Sequence, residues 1–523
     1  MTINGLLLSG AMQIKPNKGL VTPGNTTYSN MTSDQITTIV LENKIFEVNK
    51  KKLMEKSDYF HALYSSGMRE STEDTVQLQG LSVPGLELVL DFINTSKVEF
   101  ANETLEDLVD AASYLQVTSI LKLLTSVEIC LDNCMKLYSL SEVHGMKDLH
   151  HACLKYMSCH YHPVMRRPEF SSLPSTVRDQ MREMRMRGTA TLVAIRNSKT
   201  HRENECNPYK AIIRYEEVDR YWRPLATNLP EDLINVREYA CAVLDNYLFI
   251  AGGVRGTNKT LKEMSAVHCY NPCTNEWNQT APLHQARCEF KLLAVQGNLY
   301  AVGGRSLGTV ECYNPVNDVW TCVASMPDPL VKFSACECQG MIYVIGGYTT
   351  RGGCSCFCTK IKKITTFACQ TDEKAKLLRY CPTSDTWMTV ELCSMYACEM
   401  HSVEDIIYLV GGYETTKPMT RWKNLWQLHH PDPMNAVAMG SYNITTGEWL
   451  HMVKRPNQSP MSTLHNNSIY IISQQFNSHD RFNCSHFLKY NIFFNTWETF
   501  RCFRDLDEIR LLCSLYLPND MEH

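Results

Sequence analysis

From Ile36 the stretch "ITTIVLENKIFEVNKKKL" alternates polar and apolar residues with the period of two that marks a β-hairpin. "SDYFHALYSSGM" then changes to helical spacing behind a Ser-Asp cap, and "DTVQLQGL" returns to a strand. "VPGLELVLDFINTSKVEF" reads as a helix followed by a strand, and "TLEDLVDAASYLQVTSILKLL" as a helix pair. Beyond residue 188 the pattern changes character. β-Branched and aromatic runs such as "YLFIAGG", "LYAVGG", "IYVIGG" and "IYLVGG" recur, each closing on paired glycines, and predict an all-β half.

A second signal is superimposed on those strands. Six octets carry Tyr and Trp at one separation: "YEEVDRYW" from Tyr215, "YNPCTNEW" from Tyr270, "YNPVNDVW" from Tyr313, "YCPTSDTW" from Tyr380, "YNITTGEW" from Tyr442 and "YNIFFNTW" from Tyr490. Their closing Trp residues lie 43 to 67 positions apart, around the roughly 50-residue period of kelch repeats. A unit of this kind is a small four-stranded sheet with two apolar faces, and it buries both only by stacking on neighbours around an axis. Trp and Tyr supply the wedge, and the glycines allow a turn where a side chain would clash. The first octet lacks a preceding Gly-Gly strand. "TATLVAI" and "AIIRY" can supply two of its strands and the C-terminal "LLCSLYLP" the innermost one, so that both ends share a blade and close a ring. In "SIYIISQQ", Ser473 and Gln474 stand where glycines are expected, which predicts an altered turn in that unit. The expectation is a six-bladed propeller over residues 188–518.

Composition narrows the function. At 523 residues the chain is long enough for two or three domains. Its 51 Lys and Arg against 55 Asp and Glu argue against a coat for nucleic acid or acidic membrane. The N-terminal stretch has no charged lead-in and no later window is long and apolar enough to span a bilayer, so a soluble, non-secreted chain is expected. Its 23 cysteines, an odd number, are then read as thiols, and the acceptor-like triplets at Asn25 and Asn443 as chance matches.

"SDYFHALYSSGMRES", "LELVLDFINTSKVEF" and "LVDAASYLQV" resemble the strongest motifs of the BTB fold, and "LDNCMKLYSLSEVHGMKDLHHACLKYMSCHYHPV" resembles the first helices of the BACK domain. BTB, BACK and kelch in this order resemble the kelch-like family, from about residue 35 onward. The resemblance implies a multidomain fold: a flexible segment 1–34, an α/β BTB domain 35–126, a truncated all-α BACK domain and linker 127–187, the all-β propeller 188–518 and a tail 519–523. It also implies a cytoplasmic, non-catalytic substrate adaptor of a cullin-3 ubiquitin ligase. In that family a hydrophobic residue, any residue and Glu dock on cullin-3; Met68-Arg69-Glu70 fits, with Tyr64 one helical turn earlier. The alternative for these residues is a packed helix end with Glu70 solvated. A homodimer through the BTB domain is implied, although Ile36 and Asn49-Lys50 replace the family's Asp and His-Arg near its dimer contact. In that family protein targets bind the loops after the Gly-Gly strands and between blades, and here the former carry Arg255, Arg305, Tyr348, Arg351, Tyr413 and Arg421. Arg and Tyr dominate binding hot spots and match carboxylates, which suggests an acidic target segment, while a bland exposed role stands beside it.

No catalytic constellation emerges and no cofactor is expected: there is no Ser elbow, Walker loop or "HExxH". "CEC" at 336 and 338, "CSCFC" at 354–358, Cys369 and Cys381 could supply a metal site, but the spacings do not match CxxC knuckles. Lys360, Lys362 and Lys363 beside "CSCFC" could activate a redox thiol. The basic "VRDQMREMRMRG" at 177–188 reads as a solvated helix face joining two domains rather than a nucleic-acid contact, and "NKKK" at 49–52 as a surface loop. Two rivals to the ligase adaptor are a non-ligase scaffold, for instance cytoskeletal, and a copper-oxidase propeller. The second needs a convergent Tyr, His and Cys set, and the His residues here are scattered.

Overall fold

The computed structural model describes residues 13–14, 36–67, 73–197, 210–226, 229–234, 236–256, 260–305, 307–349, 375–393, 395–396, 399–411, 413–414, 439–451, 460–475, 484–500 and 509–518. The chain divides into two compact units, with the boundary after Met181.

In the N-terminal unit the alternating stretch forms the expected hairpin, Ile36–Leu41 with Lys44–Asn49, and Thr75–Leu78 adds parallel to the first strand. Ile39 and Leu41 point to the core, fully buried with Phe60, Leu86, Val89, Ile93 and Leu108. The Ser-Asp cap is real: Ser57 Oγ accepts from Phe60 N at the start of helix Asp58–Ser65 and donates to the Leu115 carbonyl, joining two helices at their ends. Ser82 caps Val83–Thr95 in the same way. Gly85 lies so close to the Asp107 carbonyl that a Cβ would sit 2.3 Å from it, which lets Val83–Thr95 pack tightly on Leu105–Tyr114. The helix pair Leu105–Tyr114 and Thr118–Leu124 completes this part. Helices Cys134–Val143, Lys147–Cys159 and Tyr161–Met165 follow, closed around Leu137, Cys153, Met157 and Tyr161.

The C-terminal unit contains six four-stranded antiparallel sheets among the described residues. The innermost strands are Ala240–Leu244, Lys291–Val295, Leu330–Cys338, Glu399–Val403, Met461–His465 and Ile509–Leu517, for blades one to six in that order. Each touches the next, and the sixth touches the first, so the ring is closed. Blade six is shared by both ends as expected: Ile509–Leu517 pairs with Thr189–Asn197, which pairs with Lys210–Glu216 and then Tyr221–Ala226. Apolar clusters fill the gaps between blades, for example Val302, Phe333, Val344 and Tyr380 between blades two and three.

Two glycines show why Gly-Gly ends the second strand. Gly252 and Gly303 have φ of +63° and +64°, and a Cβ would meet the Arg287 carbonyl at 2.5 Å in the first case and Met326 and Phe333 at 2.8 Å in the second. In blade five, where Ser473 and Gln474 replace the glycines, the strand runs on through Ser468–Gln475 and stays paired with Cys484–Asn491. Ser473 is fully buried there.

The octet is a lock between blades as well as a turn. Asn271, Asn314, Asn443 and Asn491 accept backbone N–H groups two or three residues ahead through their side-chain oxygens, which forms the tight turn. The sixth octet position takes positive φ and reaches back to the Tyr: Tyr270 donates to Asn275, Tyr313 to Asp318, Tyr380 to Asp385 and Tyr490 to Asn495. Asp318 and Asp385 also accept the N–H of Ala281 and Ala324 in the preceding linker, and Trp320 and Trp387 donate to the carbonyls of those same two residues.

One expectation needs correction. The basic helix spans Ser175–Arg185 and its Arg182 is exposed, but Arg185 at its end is not part of a solvated face. Arg185 is 2% exposed, with its guanidinium 3.9 Å from the centre of the Tyr247 ring and donating to the Asp245 and Asn246 carbonyls and to Asn271 Oδ1. Arg185 therefore packs on blade one, and the division between the two compact units falls within the helix. A guanidinium that satisfies several carbonyls while stacking on an aromatic ring can be buried at tolerable cost, which a charge pattern alone does not reveal.

Candidate interaction surfaces

Tyr64 closes helix Asp58–Ser65 on the N-terminal unit and is half-buried. Its hydroxyl shares a 2.9 Å hydrogen bond with Thr37 Oγ1 on the first strand, and Lys50 Nζ lies 4.2 Å from its ring centre. Burial pushes its pKa up, so it stays a neutral hydrogen-bonding phenol. Nearby, Tyr59 packs against Tyr114 with ring centres 5.7 Å apart, and Tyr114 is 44% exposed. Tyr59 stands at the start of the same helix and Tyr64 at its end, where its hydroxyl ties it to the sheet. Met68 and Glu70 lie outside the described residues.

In the propeller, antiparallel order puts the loops after the second strands at the same end as the linkers between blades. Arg255 sits in a two-residue strand, Val254–Arg255, paired with Lys262–Glu263. Its Nη2 donates to the carbonyls of Glu231, Asp232 and Ile234, clamping the linker that leads into blade one. Arg305 bridges two carboxylates, Glu238 at 2.8 Å and Glu289 at 3.2 Å. Both arginines are therefore engaged by the protein itself, and this sector presents acids and bases in near balance. Tyr348 lies in strand Met341–Thr349 opposite Val331, and Tyr413 in the short strand Tyr413–Glu414 opposite Tyr396. Arg351 and Arg421 lie outside the described residues, as does most of the two long loops that carry them.

The ring also holds charged groups that sequence reading missed. Lys291 of blade two reaches Glu399 of blade four, 3.0 Å away, past the innermost strand of blade three. Arg287 and Glu311 form a fully enclosed ion pair, 0% and 1% exposed. Arg287 also donates to the carbonyls of Gly303 and Thr309, while Glu311 accepts the N–H of His284 and Gln285. No local pattern marks these partners: Lys291 and Glu399 meet only when blades two to four are side by side, and Arg287 and Glu311 only when the strands of blade two pair.

Cys336 and Cys338 share one face of their strand and are buried between blades three and four; burial raises the first thiol well above its ordinary pKa and the second to about 11. Cys381 is different: hydrogen bonds from Ser384 and Thr383 bring its thiol down to about 7. "CSCFC", its three lysines and Cys369 lie outside the described residues. Among the described residues the cysteines are free thiols and no three His, Cys, Asp or Glu side chains are placed to hold a metal ion. Among them, too, no helix is long and apolar enough to cross a membrane.

A family model for the BTB/POZ domain matches residues 33–129, and one for the kelch motif matches 237–284 and 286–327. A BTB domain, a helical segment and a kelch β-propeller in one chain define the kelch-like family of substrate adaptors, and this chain belongs to it. It is 44% identical to mouse Kelch-like protein 42 over 524 residues, covering 94% of this chain and all of that protein. The human Kelch-like protein 42 is also 44% identical, again over 94% of this chain and the whole relative. Zebrafish Kelch-like protein 26 is 25% identical over 51% of this chain and 59% of its own length.

Proposed function

We propose that this chain is the substrate-recognition subunit of a cullin-3 ubiquitin ligase. Its BTB domain would bind cullin-3 and a second copy of the chain, the helices after it would serve as a shortened BACK domain, and the propeller would hold the protein target. The observation that carries the reading is the joining, in one chain, of a BTB domain whose helix Asp58–Ser65 carries Tyr59 and Tyr64 to a closed six-sheet ring whose second and third strands are joined by segments of differing length. An apolar anchor beside a charge, as in Met68 and Glu70, suits an interface with a buried centre and a polar rim. Tyr64, Met68 and Glu70 are the residues assigned to cullin contact. Arg255, Arg305, Tyr348, Arg351, Tyr413 and Arg421 mark the end of the propeller assigned to the target.

The chain itself performs no bond chemistry in this reading. It raises the local concentration of a target beside a transfer centre supplied by another subunit, a gain that comes from tethering alone. Its place of action would be the cytoplasm, and a cytoskeletal scaffold built on the same dimer and ring is the rival. Because Arg255 and Arg305 are already engaged, target selection rests more on the long loops around Arg351 and Arg421 than on a ready-made cationic patch.

The test is co-purification of cullin-3 with the full chain, wild type against Met68→Ala/Glu70→Ala. Loss in the double variant supports the assigned contact. Retention at wild-type level overturns that contact, and absence of cullin-3 from the wild type favours the scaffold.

A further inference from the structure

The chain enters the innermost strand by the same turn in the first three blades. Ala240, Lys291 and Ser334 each pair with the residue just ahead of the paired glycines, Ala251, Val302 and Ile345. Two residues before them stand Glu238, Glu289 and Lys332, with φ of +58°, +53° and +55°. Left-handed backbone at one repeated position belongs to the fold: it brings the linker in to the axis and sets these three residues on the inner rim of the end assigned to the target.

The charge at that position reverses between blades two and three. Glu238 and Glu289 are both taken by Arg305, at 2.8 and 3.2 Å. Lys332 is exposed and makes no hydrogen bond or ion pair among the described residues. Blade six adds a second open cation. Arg510 falls in a register shift between Ile509 and Leu511, which pair with Arg196 and Ile195, so it stands out of the ladder. It too is exposed and has no hydrogen bond or ion pair among the described residues. The other charges near the axis are committed: Lys291 to Glu399, and Arg237 to the Gly256 carbonyl. Blades three and six are opposite members of a ring of six, so Lys332 and Arg510 flank the axis from opposite sides. The rim is narrow there, since the Lys291 and Glu399 side chains meet from blades two and four.

We infer that Lys332 and Arg510 hold an extended acidic segment of the target protein, laid across the mouth of the ring with one carboxylate on each side. The inference rests on the reading that this end of the ring receives the target, and it names the chemistry received. The Arg510 guanidinium can take a carboxylate through two parallel hydrogen bonds, and the Lys332 ammonium takes one as a point charge. Two separate cations set among Glu238, Glu289 and Glu399 suit spaced Asp or Glu side chains and repel any run of negative charge placed elsewhere on the rim. A nucleic acid strand needs a continuous track of cations, which the rim does not offer.

Fluorescence anisotropy of a labelled hexaglutamate peptide, titrated with the full chain at low ionic strength, tests it. Lys332→Gln/Arg510→Gln should weaken binding by about tenfold or more, as expected when hydrogen bonds to charged groups are lost. Lys332→Arg, which keeps the charge, should bind like the wild type. Lys51→Ala/Lys97→Ala removes the same two charges from exposed sites of the N-terminal unit and should change nothing. No binding by the wild type, equal weakening in the two double variants, or tighter binding of a single-stranded oligonucleotide of the same charge would overturn the inference. Both rim residues are exposed, so the glutamine variants keep the fold. Cullin-3 co-purification is a separate readout: peptide binding without cullin-3 faults the ligase reading alone, and cullin-3 binding with an unaltered peptide affinity in the rim variant faults the rim alone.

Discussion

Asp385 joins two blades through one oxygen: Oδ1 accepts the Tyr380 hydroxyl at 2.7 Å and the Ala324 N–H at 2.8 Å. The turn residue thus holds its own octet and the linker before it. Asp385→Ala leaves both donors without that acceptor, and a loss of about 1–3 kcal/mol of stability is expected, measured by chemical denaturation. Asp385→Asn, which keeps an oxygen acceptor, should recover most of it.

The Arg287–Glu311 pair gives a larger effect. Arg287→Met strands the Glu311 carboxylate in a site where it is 1% exposed, and a destabilisation of about 3–5 kcal/mol is expected. Removing both charges in Arg287→Met/Glu311→Leu should cost less than the single change. A thermodynamic double-mutant cycle reads the difference directly.

Stability should also fall on acidification. His401 is partly buried on the innermost strand of blade four, where burial first and Lys291 second bring its pKa down to about 4, against 6.5 when unfolded. Below pH 6.5 the unfolded chain takes up a proton that the folded chain refuses, so stability is full above that value and declines toward pH 4. The loss amounts to roughly 2–3 kcal/mol from this group. Urea midpoints measured from pH 7.5 down to about 5 check it, and His401→Gln should flatten the slope.

Thiol reactivity should separate the cysteines. At neutral pH a good fraction of Cys381 is thiolate, whereas Cys336 is buried and protonated. Alkylation of the native chain followed by peptide mapping should label Cys381 at least about tenfold faster than Cys336. Equal rates would contradict the packing described for the innermost strand of blade three.

Much of this architecture is legible in the sequence because its determinants are local and repeated. Tyr-to-Trp spacing, Asn at the turn and Gly at positive φ are each set within eight or so residues, and the hairpin, caps and helices of the BTB domain follow from alternation and Ser-initiated turns. The sharing of blade six was also readable, since one octet lacked its inner strands and the C-terminus supplied one. Contacts made only by ring closure were not readable. Arg185 looked like part of a solvated basic face until Tyr247, Asn246 and Asn271 surrounded it, and Lys291 gives no hint of a partner 108 positions away. Arg255 and Arg305 carried the right chemistry for a target, yet the linker carbonyls and acids that engage them come from neighbouring segments of the fold.

The central claim, that the chain couples a cullin to a target, is tested most directly with purified components. Full-length protein and cullin-3 should co-elute in size-exclusion chromatography with light scattering, at the mass of an assembly with one cullin per copy of the chain. Separate elution at micromolar concentration of both proteins would contradict it.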